Sequence, residues 1–450
     1  MEQQTRLDGA GTVNLNMLLD EGQWTPAQKI ILALIALAYL TDGIANQSLG
    51  LAIPALMRDW GLPREAFASV AALGLVGLTL GAVIGGMLGD RFGRRVTMVA
   101  STGFFGVMTL AQAWVTGTHE LLVLRFFDGI GIGAMIPNGA ALISEFSPRR
   151  ERPLALAIGM TFVAVGAMLA GLIGNLVLEP YGWRGLFVVL GGVALLVALL
   201  LLAFLPESPI YLANAGAPQE RLRAIARRCG LAVDGVGLAA NRREAASTHR
   251  TSLSALFAPD VASSTVFLWI AFFFCLLANY AMFSWVPAML AALGFALSLT
   301  SLGMTALSFG GIVGGILSGW LIRQYGSRVT VLALAAGGVV ASLVLGLLIM
   351  RNEGSLSVIL ALLALIGIFS AGLLNGLYTF SAFIYPDYVR GTGVGAAAAA
   401  GRVGAIASAY AGVMALGIGG ASGYFLLIAG SLAISLIGVA LIRRQIPRAV

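Results

Sequence analysis

The chain has 450 residues, of which 59% are hydrophobic and only 10% charged. A soluble domain carries about 25% charged residues, so the composition excludes that class and reads as a polytopic membrane protein. Its 59 glycines against 14 prolines fit the reading, because small residues let transmembrane helices approach closely. The net charge of +7 raises nucleic acid as a partner, until the basic residues are placed along the chain.

The segment 1–28 is polar, and no cleavable signal peptide is expected in it. Apolar stretches of about 20 residues mark membrane spans. Twelve are predicted, at 29–54, 67–88, 96–116, 121–144, 154–177, 186–205, 264–290, 299–321, 330–350, 356–380, 394–416 and 421–442. A long Arg-rich segment, 206–262, separates the sixth span from the seventh. The predicted organisation is an N-terminal segment (1–28), a six-helix bundle (29–205), a central loop (206–262), a second six-helix bundle (263–442) and a tail (443–450). Cys229 falls in the polar loop and Cys275 in an apolar span, so no disulfide framework is expected.

The basic residues set the orientation. With a cytoplasmic N-terminus, the cytoplasmic segments hold 21 of the 27 Lys and Arg, and the opposite face holds four, Arg58, Arg64, Arg184 and Arg351. Arg125 and Arg402 lie inside spans. This is a positive-inside pattern, so both termini and the central loop are expected in the cytoplasm. The positive charge reflects topology, and no nucleic-acid partner is expected.

The two halves echo each other. "GAVIGGMLGDRFGRRVT" at 81–97 aligns with "GGILSGWLIRQYGSRVT" at 314–330, and "SEFSPRRERP" at 144–153 with "SAFIYPDYVRG" at 381–391. Repeated six-span halves are common in secondary transporters, whose substrate site lies near the bilayer midplane between them. "GDRFGRR" at 89–95 resembles the hallmark loop of the major facilitator superfamily. Asp90 at a helix end, beside Arg94 and Arg95, can clip neighbouring helices in one state of a cycle. In the second half Arg323 stands at the matching position. Arg152 and Arg390, in the echoed segments, join these as candidate gating residues.

A finer resemblance is to the aromatic acid/proton symporter family. It rests on "LLDEGQWTPAQK", the "DG" of span one, "RFFDGIGIGAMIPNGAALISEFSPRRERP", "PESPIYL", "FGGIVGGILSGWL" and "RGTGVGAAAAAGRVG". The resemblance implies an all-α fold of twelve transmembrane helices in two pseudo-symmetric bundles. It also implies uptake of an aromatic carboxylate with protons by alternating access. Such a protein is a monomer in the inner membrane, bathed in lipid, with the proton gradient in place of a cofactor. The family's first-span motif is D-G-x-D; here it reads "DGIA", so Asp42 matches and Ala45 departs.

Ionisable groups inside spans are functional candidates with partners to be named. Asp42 and Asp128 are the acids well inside spans, with Glu145 at the cytoplasmic end of span four. All three are candidates for proton coupling. Burial favours the neutral acid, and a nearby guanidinium the carboxylate. A substrate carboxylate that occupies an Arg would therefore favour a proton on Asp42. The competing reading has Asp42 bonded locally to Asn46, one turn away. Arg125 and Asp128, three apart, share a helix face, so Asp128 either neutralises Arg125 or leaves it for substrate. For Glu145, the neighbours Arg149, Arg150 and Arg152 point to a cytoplasmic gate or clip. Arg402 is read either as a fork for a substrate carboxylate, geometry that Lys lacks, or as a structural Arg bonding helix-end carbonyls.

Trp269, Tyr280, Trp285, Tyr378, Phe383 and Tyr385 are candidates to stack on a ring, although aromatics also anchor interfaces. Asn46, Asn279 and Asn375 add polar groups. Spans seven and ten commonly line the cavity in the superfamily, which favours Asn375, Tyr378, Tyr280 and Trp285.

Enzyme chemistry finds little support. His119 and His249 lie in loops without a spaced metal-ligand cluster, and "GIGIGAMIPNG" lies in a helix, not the strand–turn–helix unit of a nucleotide site. Other readings are a drug/proton antiporter, a sugar porter, a transport-like receptor, and an exporter or transporter of another organic acid. Span five lacks the proline of the antiporter signature, span seven has few amides for a sugar, and no signalling domain is attached. A proton-coupled importer of an aromatic carboxylate is the preferred reading.

Overall fold

The computed structural model describes residues 24–228, 256–258, 261–351, 353, 355–385 and 390–442, together with short strands at 7–8, 12–14 and 237–239. Span one, Pro26–Trp60, begins at a capping box. The Thr25 hydroxyl accepts from the Gln28 amide, and the Gln28 side chain accepts from the Thr25 amide. This satisfies two of the donors that a helix N-terminus leaves open. It ends at Gly61 in the left-handed conformation, where a residue without Cβ is least strained.

Nine helices among the described residues are long and apolar enough to cross a membrane. Three of them, Arg152–Phe204, Leu297–Met350 and Arg390–Leu441, have 53, 54 and 52 residues. At 1.5 Å per residue each would run to about 80 Å, far beyond a hydrocarbon core of about 30 Å. Each breaks at one glycine of positive φ: Gly182 (63°), Gly326 (79°) and Gly420 (58°). Each therefore supplies two spans, and the predicted twelve follow. The gaps predicted between these pairs are helical up to the glycine itself, because one residue of reversed φ suffices to end one helix and start the next.

Spans two, three and four are Glu65–Phe92, Arg94–Ala111 and Thr118–Phe146; seven and ten are Ala262–Ala292 and Leu356–Ile384. The repeat reappears in the backbone. Gly61 and Gly294 both have positive φ and stand 233 positions apart, as do Gly93 and Gly326. The packing repeats too. Gly77 and Gly81 of span two bring their backbone against Phe126 and Ile130 of span four, and Gly310 and Gly314 of span eight meet Ala364 and Ile368 of span ten. A Cβ at any of the four would stand about 2 Å from a carbonyl oxygen, so these helix pairs need the small residue. Outside, Leu176, Met87, Val83 and Ile418 are exposed, as expected of surface that meets lipid.

One element adds to the all-α reading. Strands β1 (Leu7–Asp8), β2 (Thr12–Asn14) and β3 (Gly237–Ala239) form a small sheet in that order, β1 antiparallel to β2 and β2 parallel to β3. It ties the segment before span one to the segment between spans six and seven.

The two halves meet toward the end of the bundle opposite Asp90. There Gly50 of span one packs against the Phe283 carbonyl of span seven, and Gly171 of span five against Ser301 and Thr305 of span eight. The Thr305 hydroxyl donates to the Met168 carbonyl (3.5 Å), and the Tyr410 hydroxyl to the Ser69 oxygen (3.5 Å).

Candidate functional site

Asp42 lies at mid-depth in span one and is 1% exposed. The Asn46 amide, one turn on, donates to its Oδ1 (2.8 Å) and to its backbone carbonyl (3.2 Å). Its other oxygen, Oδ2, is buried without a hydrogen-bond partner among the described residues. A buried carboxylate without a full set of partners is costly, and a proton on it removes the charge.

Arg402 comes from the other half, on span eleven. Span eleven is drawn onto span seven by Gly401, packed against Leu276 and Phe272, and Gly404, packed against the Phe273 carbonyl. The Arg402 side chain is half-buried and lies within electrostatic range of Asp42, Tyr280 and Tyr378. Among the described residues no carboxylate forms an ion pair with it. Four predicted site residues, from spans one, seven, ten and eleven, thus converge on one region between the halves. The Tyr378 ring is 40% exposed and packs edge-on against Phe272, centroids 5.0 Å apart. Asn375, one turn before it, is exposed, with its amide lying where Gly315 of span eight leaves room. Trp285 is fully buried with its indole against Gly412.

Arg125 and Asp128 form a second constellation on the neighbouring turn of span one, and Asp128 too lies within electrostatic range of Asp42. Arg125 Nη1 donates to Asp128 Oδ2 (2.6 Å) and to the Ser48 hydroxyl (2.9 Å), and Nη2 donates to the Ala45 carbonyl (3.2 Å). Asp128 also accepts from Thr109 (2.9 Å) and Gln112 (3.3 Å) on span three and its extension. The pair is buried and bonded on all sides, and it joins spans one, three and four. Sequence reasoning missed Ser48, Thr109 and Gln112. For Thr109 and Gln112 the signal was there in their spacing of three toward the apolar end of span three.

A third cluster sits at the Asp90 end. Glu145 accepts from Arg94 and from the Ser208 hydroxyl. This corrects the partners expected from sequence adjacency, since Arg149 and Arg150 are exposed. The one-residue turn at Gly93 swings Arg94 toward span four. Asp90 is exposed and stands 3.6 Å from Arg94. Arg95 donates through its backbone amide to Glu207 (2.9 Å) and through its guanidinium to the Leu202 carbonyl (2.6 Å). Arg152 donates to the Ser147 carbonyl (3.3 Å). The side chain of Arg390 lies outside the described residues, as do Cys229 and His249.

The family model described as Major Facilitator Superfamily matches residues 35–353 and, overlapping them, 268–449. The chain belongs to the major facilitator superfamily. It is a multi-pass membrane transporter and not an enzyme. It is 29% identical over 415 residues to the 4-hydroxybenzoate transporter PcaK of Pseudomonas aeruginosa, covering 92% of this chain and 90% of the relative. It is 33% identical over 403 residues to a gallate transporter of Pseudomonas putida, covering 87% of each. These relatives bear out the resemblance to the aromatic acid/proton symporter family. Among solved structures, the inward-open xylose transporter XylE of E. coli is similar in fold, with a TM-score of 0.71, 18% identity, and coverage of 90% of this chain and 94% of that one.

Proposed function

We propose that this transporter imports an aromatic carboxylate together with protons by alternating access, from the inner membrane with both termini in the cytoplasm. The reading is carried by one observation: Asp42 keeps a buried oxygen without a partner, while Arg402, within its electrostatic range, has no ion-pair partner among the described residues. The substrate carboxylate takes the Arg402 fork, and its ring takes the exposed face of Tyr378 beside Phe272. With Arg402 occupied, the field that favours the Asp42 carboxylate is neutralised, and Asp42 holds a proton. Substrate and proton then bind together, and the loaded central site is close to neutral when it reorients. The names of the relatives support the substrate class, and the arginine asymmetry supports the orientation.

Contacts between the halves at the end opposite Asp90 mean that the conformation described is closed there. With that orientation, it is the conformation closed to the outside. The test is a thermal-shift screen of purified protein against aromatic and aliphatic carboxylates, followed by uptake of the hits into proteoliposomes with an imposed proton gradient. Stabilisation by benzoates or hydroxybenzoates, with accumulation that collapses when the gradient is dissipated, is expected. Stabilisation by aliphatic acids alone would make it a transporter of another organic acid. Movement against the proton flux would make it an exporter.

A further inference from the structure

A pocket of about 420 Å³ sits at the closed end of the bundle, lined by Ala55, Arg58, Asp59, Tyr181, Trp183, Arg184 and their neighbours Gly182 and Leu297. Three pieces of chain build it. Arg58 and Asp59 belong to the last turn of span one, Tyr181 to Arg184 form the reversal around Gly182, and Leu297 is the first residue of span eight in the other half.

The charges inside it are unevenly matched. Asp59 Oδ2 accepts from the Trp183 indole (3.0 Å) and from Arg184 Nη1 (3.1 Å), and the Arg184 guanidinium stacks 4.1 Å over the Trp183 ring. Asp59 and Arg184 therefore balance each other. Arg58 is exposed, and among the described residues no ion pair reaches it. Of the three charged groups lining the pocket, one positive charge is left over. Beside it the Tyr181 ring is 72% exposed. An uncompensated guanidinium next to an open aromatic face suits an anion that carries a ring.

We infer that this pocket is a capture site where an aromatic carboxylate first binds from outside, distinct from the central site at Asp42 and Arg402. The inference rests on the substrate class proposed above. Its position adds a physical consequence. Because Leu297 belongs to the other half, opening this end must part Leu297 from Ala55 and Arg58, which unroofs the pocket toward the cleft between the halves. A substrate held there is at the gate when the gate opens. Field focusing by one unpaired charge at the mouth of a cleft raises the local concentration of anions, more so at low salt.

The test uses the full-length protein in proteoliposomes, with 4-hydroxybenzoate or the aromatic acid that the screen identifies as probe. Arg58→Gln should raise the KM of influx about tenfold, the low end of what such a field supplies, and leave kcat unchanged. It should also flatten the rise of KM with ionic strength. Arg58→Lys keeps a point charge and should restore most of the salt dependence. The affinity of detergent-solubilised protein for the same acid, read at the central site, should be the same in wild type and Arg58→Gln. An unchanged influx KM overturns the capture site, and so does a parallel loss of affinity in detergent. An effect confined to liposomes containing phosphatidylglycerol, and lost in pure phosphatidylcholine, makes Arg58 a lipid anchor and also overturns it. Failure of the wild type to take up any aromatic carboxylate overturns the underlying reading instead.

Discussion

Asn279 stands 233 positions after Asn46 and repeats its hydrogen bond. Asn46 donates to the Asp42 carbonyl and carboxylate; Asn279 donates to the Cys275 carbonyl (2.9 Å) and approaches its sulfur (3.6 Å). The same offset relates Asp42 to Cys275. The two halves therefore carry one local design, with an acid in the first and a neutral thiol in the second. The carboxyl exists in one half alone, which is why the proposed coupling is placed on span one.

That asymmetry makes Asp42 and Asn46 separable from their counterparts. Asp42→Asn stays neutral at every pH, so uphill accumulation should vanish while substrate exchange at equal pH persists. Cys275→Ser and Asn279→Ala should keep gradient-driven uptake within about twofold of wild type, because no charge is changed there. Asn46→Ala should alter the pH dependence of influx, since it removes the donor that holds one Asp42 oxygen. Proteoliposome uptake across a series of imposed pH gradients reads all four. Gradient-driven accumulation by Asp42→Asn would remove Asp42 from the coupling role.

The Arg125–Asp128 pair leads to a different expectation. Its groups are buried and bonded to Ser48, Ala45, Thr109 and Gln112, so the pair acts first on stability. Removing one partner of a buried ion pair leaves a bare charge and costs about 3–5 kcal/mol, whereas replacing both with apolar groups costs far less. Arg125→Met and Asp128→Leu alone should each lower the melting temperature in detergent strongly, and the double variant should recover much of the loss. Additive losses would show that the two residues do not act as a unit. Full stability with weakened substrate binding in Arg125→Met would return Arg125 to the substrate site.

Much of this was legible in the sequence, and the reason is the bilayer. Spans, the repeat and the isolated charges all follow from one constraint: polar groups inside hydrocarbon need an internal partner or a task. The Asp42–Asn46 contact was readable because it spans one helical turn. The partners Arg94 and Ser208 of Glu145 were not readable, because they lie 51 and 63 positions away and reach it only through tertiary packing. The pocket at Arg58 was invisible for the same reason, since it needs span one, the Gly182 reversal and the start of span eight at one place. The small sheet was missed because strands of two and three residues carry no usable period.

The closed end should yield to a single methyl-bearing residue. A Cβ at Gly171 would stand 2.4 Å from Thr305 Oγ1 and 2.8 Å from the Ser301 carbonyl, both across the boundary between halves. Gly171→Val should therefore disfavour closure here without disturbing the packing inside either half. A cysteine placed at Thr305 should become more reactive to a membrane-impermeant maleimide in this background, and transport should fall. Equal labelling with and without Gly171→Val would mean that these contacts open at no cost to the resting conformation.

Arg402 allows the sharpest separation between a structural and a binding role. It is the sole basic residue near mid-depth in the second half, is half-buried, and has no ion pair among the described residues. If its guanidinium receives the substrate carboxylate, Arg402→Lys should already weaken binding, because Lys keeps the charge and loses the planar fork. Arg402→Ala should be worse. A charge-assisted hydrogen bond contributes about 1.5–3 kcal/mol, roughly a ten- to hundredfold change in affinity. A neutral ester or amide of the same acid should bind the wild type more weakly, yet lose little further in Arg402→Ala, because the missing interaction is the same one. The affinities of acid and neutral analogue, for wild type and variant, form a double cycle, and a coupling energy near the full loss is expected. If acid and analogue weaken equally on mutation, Arg402 supports the helix rather than the ligand. The carboxylate must then be held by a donor other than this fork.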